Sequence, residues 1–562
     1  MPPAPTPPTT LTRTLAAGSV VRQGTQRPYR QLVARDGEPH RLRDELAGAG
    51  AAQPWPPARR RSLLHLAHVT DLQLADVQSP ARFEFFNRRF DDPRFAALLP
   101  VQRPQEALTA HAVAAVTRTL STLPGSPLTG APLALVVTTG DAIDNAQWNE
   151  LQMFLALFDG GRVRPRSGGP AYEGVQSLGW PDDLYWKPDG AGPAGPDLWR
   201  TRFGFPHHPG LLEAALAEFE ASGLRLPWLA CLGNHETLVQ GVGTLTPALQ
   251  AYLVGDGKPL DLDPAGFAPG GEDDELLEAF IAAPERFLNG PQQPITPDPD
   301  RRGLTRQELL AAHFRLGGRP HGHGFTPQNL ADGTAYYCYD GIAGVRLIAL
   351  DTNCAGGGAD GCLDAEQGRW LERRLAEVHS RYRGRDGAEV RTRNEDRLVV
   401  IFSHHGPDTM LNRRSPLPLL GAAELVGLLH RFPNVVLWLN GHTHTNRVRP
   451  RPDPARPSQG FWEVTTCAVI DWPCQARLVE LLDNGDGTLS IACTMVDYDA
   501  PVQPGQPDRD GGVDLDHAAW LASLHRELAA NVPWAGHDVP LAGSPTDRNV
   551  DLRLPAPFPL GS

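Results

Sequence analysis

Residues able to hold or move charge stand at five places in this 562-residue chain, and each place closes a short apolar run. Asp71 and Gln73 follow residues 63–70, Gly140-Asp-Ala-Ile-Asp-Asn145 follows 132–139, and Gly233-Asn-His-Glu236 follows 226–232. His404 and His405 follow 397–403, and Gly441-His-Thr-His444 follows 434–440. Carboxylates, amides and imidazoles together suit first-row divalent ions of the Mn, Fe or Zn kind; the thiolates of a structural zinc site are missing. Seven such side chains are too many for one ion and fit two that share a carboxylate. Two ions ~3.5–4 Å apart can hold a hydroxide between them and clamp the entering and leaving oxygens of a phosphoryl centre. The ions bring that water's ionisation near neutral pH.

Positioning these groups takes buried strands, which the apolar runs supply, with the chemistry at their carboxyl ends as in open α/β sheets. Helical spacing predicts helices over 105–123, 146–158, 211–222, 364–383 and 421–432. Further strands are expected at 335–340, 345–351, 461–470, 478–482 and 488–496, the last two joined by a hairpin turn at Asp483-Asn-Gly-Asp-Gly487 that is not a calcium loop. Residues 1–60 read as a Pro-rich N-terminal arm, partly disordered or wrapping. The main domain spans 61–498, with insertions at about 160–206 and 237–334. The second carries helices near 274–283 and 305–314 and, leaving directly from His235, is expected to be a lid. Residues 499–562 read as a peripheral C-terminal extension with a short helix at 516–530.

Net charge of −13 disfavours a general nucleic-acid or anionic-membrane binder. Lys187 and Lys258 are the only lysines, neither lies near a motif, and no phosphate-binding Walker loop or Gly-x-Ser-x-Gly elbow occurs. Seven cysteines without a Cys-x-x-Cys pair read as reduced, mostly buried thiols, with a Cys354–Cys362 disulfide left open. No apolar stretch is long enough to span a bilayer, and a cytoplasmic location is expected, a removed leader aside.

In this order, Asp71-x-Gln73, Gly140-Asp-x-x-Asp-Asn145, Gly233-Asn-His-Glu236, His404 and Gly441-His-Thr-His444 resemble the five blocks of the calcineurin-like metallophosphoesterases. The resemblance spans residues 64–446 and implies an α/β (α+β) four-layer αββα sandwich with a dinuclear centre at one edge. It implies that Asp71, Gln73 and His444 hold one metal, that Asn234, His404 and His442 hold the other, and that Asp141 bridges them. His235 is similar to the family histidine that protonates or stabilises the leaving oxygen, supported by Asp144 or by Glu236. Most relatives carry histidine where Gln73 stands. A harder amide oxygen favours Mn²⁺, with Fe, Zn or Mg as alternatives, and resembles the ADP-ribose and CDP-alcohol pyrophosphatase branch. The expected function is hydrolysis of a small phosphomonoester or phosphodiester by the metal-bridging hydroxide. A nucleotide pyrophosphatase and a metal-free scaffold are the alternatives.

Several residues carry two readings. His404 is the expected ligand of the adjacent pair, leaving His405 to face substrate or solvent. Asn145 either touches phosphate or caps a helix starting at Ala146. His65 and His68 read as core residues. Arg413 and Arg414 read as a solvated pair, and His207, His208, His321 and His323 as surface positions.

Overall fold

The computed structural model describes residues 9–47, 60–263, 273–315, 317–504 and 518–560. The expected N-terminal disorder at 1–8 and 48–59, and the start of the helix expected at 516, lie outside these residues. Continuous apolar runs bury both faces of their strands, and two sheets result. The seven-stranded sheet runs in the order Arg41–Arg43, Val550–Pro555, Thr488–Asp497, Gln475–Asp483, Arg61–Val69, Leu135–Thr138, Trp228–Leu229. The six-stranded sheet runs Tyr337–Ile342, Val345–Ala349, Leu398–Phe402, Val435–Asn440, Arg456–Thr465, Arg447–Asp453. Arg61–Val69, Leu135–Thr138 and Trp228–Leu229 are mutually parallel, as are Val345–Ala349, Leu398–Phe402, Val435–Asn440 and Arg456–Thr465.

Side-chain alternation decides what covers each face. Leu347, Val400, Phe402, Leu437 and Leu439 share one core with Leu66, Val136, Leu478 and Ile491 of the other sheet and with the helix Thr109–Thr122. Ile348, Val399, Ile401 and Trp438 point the other way, onto Leu371, Leu375, Leu425 and Leu429 of the helices Ala365–Ala376 and Ala422–His430.

Local spacing misjudged some elements. The helix expected at 211–222 stops at Ala215; Phe219–Ala221 pairs with Gly161–Val163 instead, and Phe219 stacks on His111 at 4.8 Å. The helix expected from Ala146 starts at Trp148 without a side-chain cap, so Asn145 caps nothing. His208 lies buried beside Trp186. His323 is buried too, stacked 3.7 Å from Trp228 and bonded to Asp159 at 3.1 Å. Arg414 pairs with Glu278 of the second insertion, tying its helix Asp273–Ala282 to the loop after the fourth block. All seven cysteines are free thiols, and among the described residues no helix is long and apolar enough to cross a membrane.

Both terminal stretches join the body. The hairpin of Arg13–Arg22 with Tyr29–Asp36 packs against the helix Ala518–Ala530, and Arg41–Arg43 and Val550–Pro555 extend the seven-stranded sheet. Glu527 on that helix accepts from Tyr29 Oη at 3.0 Å and Leu32 N at 3.4 Å. Burial raises its carboxyl to about 7. A folded value above the unfolded one means that the folded chain binds the extra proton. The associated stability is therefore complete below the ordinary carboxyl range and is lost as pH rises through about 7. Glu527→Gln is expected to flatten this fall, by up to about 3 kcal/mol near pH 8. Thermal melts across pH test it, and an unchanged slope counts against the assignment.

Candidate metal centre

The three parallel strands of one sheet and two of the other end at the same edge, and their loops interlock. Asp71 N donates to Gly140 O at 3.1 Å, Gln73 N to Asp141 O at 2.8 Å, Gly441 N to His404 O at 3.0 Å, and Val469 N to Asp71 O at 3.2 Å. Asp71, Gln73, Asp141, His442 and His444 all have left-handed backbone, with φ of 52°, 44°, 51°, 67° and 55°. For non-glycine residues this conformation is costly and persists only where neighbours over-determine it.

Glu236 is one such neighbour. Its carboxylate accepts from the N–H groups of Gly233, Asp141, Ala142 and Ile143 at 2.5–3.3 Å, which shapes the turn carrying Asp141. Glu236 thus supports backbone, and His235 is held from the other side: Nδ1 donates to the carbonyl of Asp144 at 2.6 Å, with the Asp144 carboxylate 3.8 Å away. Gly233 itself is extended, a conformation open to any residue. Space is what demands glycine, because a Cβ would sit 2.1 Å from Asp141 Oδ1.

Five of the candidate groups have one side-chain atom anchored. Asp71 Oδ2 accepts from Thr70 Oγ1 at 2.7 Å and His442 N at 3.0 Å, and Asp141 Oδ1 accepts from His235 N at 2.9 Å. Asn234 Nδ2 donates to Gly241 O at 2.9 Å, His404 Nδ1 to Thr139 O at 2.7 Å, and His444 Nδ1 to Asp471 Oδ2 at 2.7 Å. That leaves Asp71 Oδ1, Gln73 Oε1, Asn234 Oδ1 and His404 Nε2 buried without a hydrogen-bond partner. Unmade hydrogen bonds are expensive in a protein interior, and four in one set of interlocked loops call for an explanation. Ligand atoms of Asp71, Asp141 and His404 lie within 4.8 Å of one another, as do those of His404, His405 and His442.

The electrostatics agree. Burial disfavours charge on His404, but Asp141 Oδ2 at 3.1 Å more than offsets it and raises the imidazole to about 9. Burial likewise opposes charge on His444, which Asp71 and Asp471 raise to about 10. Burial would push Asp141 up, yet His404 and His235 hold it well below the usual carboxylate range. A cation among these carboxylates meets the same demand, so the donor set fits divalent metal binding.

The adjacent histidines are employed differently. His405 accepts at Nδ1 from Thr352 Oγ1 and donates from Nε2 to Ala359 O, both at 2.9 Å, and is fully buried. Neither nitrogen is spare, and its ring instead packs on His404 and His442 with centroids 4.7 and 4.4 Å away. It therefore faces neither solvent nor an open pocket. Asn145 is equally committed: Nδ2 donates to Ala81 O and Gln147 Oε1, and Oδ1 accepts from Gln240. His68 is a core residue bonded to Thr139 and Thr466, both at 2.8 Å, and burial with nearby Arg477 pushes it down to about 3.

Sequence distance hides how Lys258 joins the surroundings of the site. Lys258 from the second insertion is fully buried and bonds Glu84 at 2.7 Å; Glu84 lies 3.8 Å from Arg82, and Arg82 binds Asp144 at 3.1 Å. Arg82, Arg103 and Asp471 also escaped notice, since they belong to no block. Only Asp471 left a trace, as a carboxylate just past another parallel strand, Arg456–Thr465.

No protein-family model matches the chain, and no curated protein matches it. Solved structures similar to it include the following two. A dimetal phosphatase from Danio rerio is 12% identical with a TM-score of 0.36, over 78% of this chain and 100% of that one. PhoD is 11% identical with a TM-score of 0.28, over 88% of this chain and 87% of that one. The chain resembles the metallophosphoesterases. That likeness is carried by the five blocks and by their convergence at one edge, rather than by these overlays.

Proposed function

We propose that this chain is a dinuclear metal-dependent phosphohydrolase of the αββα metallophosphoesterase type, acting on a small phosphomonoester or phosphodiester. The observation that carries the reading is the group of four unpartnered buried donor atoms around Asp141. Asp71, Gln73 and His444 would hold one ion, Asn234, His404 and His442 the other, and Asp141 both. When bound, two divalent ions supply Lewis-acid stabilisation of a phosphoryl group and lower the ionisation point of a water nucleophile.

The rest falls to the chain's own residues. His235 has its Nδ1–H fixed on Asp144 O, which turns Nε2 inwards, 3.9 Å from Asp141 Oδ2 and 3.3 Å from Gln73 Nε2. From there a protonated ring can pass its Nε2 proton to a departing oxygen. The Asp144 carboxylate, held by Arg82 at 3.1 Å, lies 3.8 Å from the Nδ1 side of the same ring. Gln73 presents an amide oxygen, which favours Mn²⁺ and keeps the nucleotide-pyrophosphatase reading in play.

A screen of the Mn²⁺-reconstituted protein against phosphomonoesters, bis-phosphodiesters, ADP-ribose and CDP-alcohols tests this. Hydrolysis that chelator abolishes is expected. Stoichiometric metal with no turnover on any of them would overturn the enzymatic reading, and absence of stoichiometric metal would leave a scaffold.

A further inference from the structure

We infer that Asp471, gripped by Arg103, is the positioning residue of His444, fixing its ring so that Nε2 is the nitrogen presented to Asp71. The inference rests on reading the site as a divalent-metal centre. It names two residues outside all five blocks.

His444 lies between two carboxylates, with Nδ1 2.7 Å from Asp471 Oδ2 and Nε2 3.4 Å from Asp71 Oδ1. An ionised carboxylate only accepts, so the proton on Nδ1 belongs to the Asp471 bond, and in the neutral ring Nε2 keeps the lone pair. That tautomer is the one a cation beside Asp71 requires. Outer-shell carboxylates of this kind fix ligand histidines in many metal sites.

Asp471 cannot easily swing away. Arg103 holds it through two bonds, Nε to Oδ1 at 2.8 Å and Nη2 to Oδ2 at 3.1 Å, and both side chains are buried. Backbone ties fix the same segment: Gln105 Nε2 donates to Ile470 O at 3.0 Å, and Cys474 N to Asp471 O at 2.8 Å. The network then continues to the other side of the site. Arg103 N donates to Glu106 at 3.1 Å, Glu106 binds Arg82 at 2.6 and 3.1 Å, and Arg82 binds Asp144, whose carbonyl holds His235 Nδ1. One buried hydrogen-bonded network, with backbone links at Arg103 N and Asp144 O, therefore reaches the Nδ1 of both His444 and His235. A pair serving only to neutralise Arg103 would have no need of the histidine.

The test compares Asp471→Ala with Asp471→Asn by Mn²⁺ titration of the full-length protein, read by EPR and calorimetry, with thermal melts alongside. Both variants strand the Arg103 charge, so both melt earlier. Only asparagine keeps an oxygen that can accept from Nδ1–H. Asp471→Ala is therefore expected to weaken Mn²⁺ uptake at one of the two sites about 10- to 100-fold, whereas Asp471→Asn stays within about threefold of the parent. Equal weakening by both variants, or by neither, overturns the inference. Should Asp471→Ala fail to fold, the same pair in an Arg103→Met background, which removes the stranded charge, carries the same comparison. A parent protein that binds no Mn²⁺ sinks the metal-centre reading together with this inference, whereas a parent that binds two ions without hydrolysing any ester leaves the inference standing.

Discussion

Asp141→Ala is expected to abolish turnover, by about 10³-fold or more on bis-p-nitrophenyl phosphate, and to leave the protein with fewer than two bound ions. The carboxylate occupies the middle of the cluster: Oδ1 is spent on His235 N, and Oδ2 faces His404 Nε2 at 3.1 Å and His235 Nε2 at 3.9 Å. Removing it takes away the negative charge that both imidazoles answer to, and the oxygen best placed to be shared. The turn should survive, because Glu236 binds the backbone N–H of residue 141 and not its side chain. Metal content by elemental analysis and a melting curve separate a lost ligand from a lost fold. A variant that retains two ions and activity within tenfold would remove Asp141 from its proposed place.

His235→Ala should behave in the opposite way, keeping both ions and losing rate. Its Nδ1 is spent on a backbone carbonyl, and its Nε2 lies 3.9 Å from Asp141 Oδ2 and 3.3 Å from Gln73 Nε2. General acid help is worth about 10²- to 10⁴-fold, and it matters most when the leaving oxygen is basic. The loss should therefore be large on alkyl phosphates and small on p-nitrophenyl esters. Equal losses on both would argue that the ring binds substrate without moving a proton.

Both expectations depend on residues that could be read from the chain before folding, for a physical reason. Each candidate ligand closes an apolar run, so Asp71, Asp141, Asn234, His404 and His442 are set by local apolar pattern and a turn. What supports them is not local. Glu236 meets Asp141 across 95 positions and Asp471 meets Arg103 across 368, and no spacing rule reaches that far. The same limit explains the central strand. Only Trp228–Leu229 pairs with the sheet, because Ala230 N turns to His323 O in a distant loop. It explains too why His323 and His208, polar in type and set in insertions, are interior residues: their aromatic neighbours Trp228 and Trp186 arrive through tertiary packing.

Lys187 and Lys258 are both buried, with 1% and 0% of their surface accessible. Every cationic side chain on the exterior, histidines aside, is consequently a guanidinium. Such an exterior keeps its positive charges in strongly alkaline solution, offers acyl-transfer modification no side-chain amine, and leaves reagents directed at lysine with nothing accessible to label.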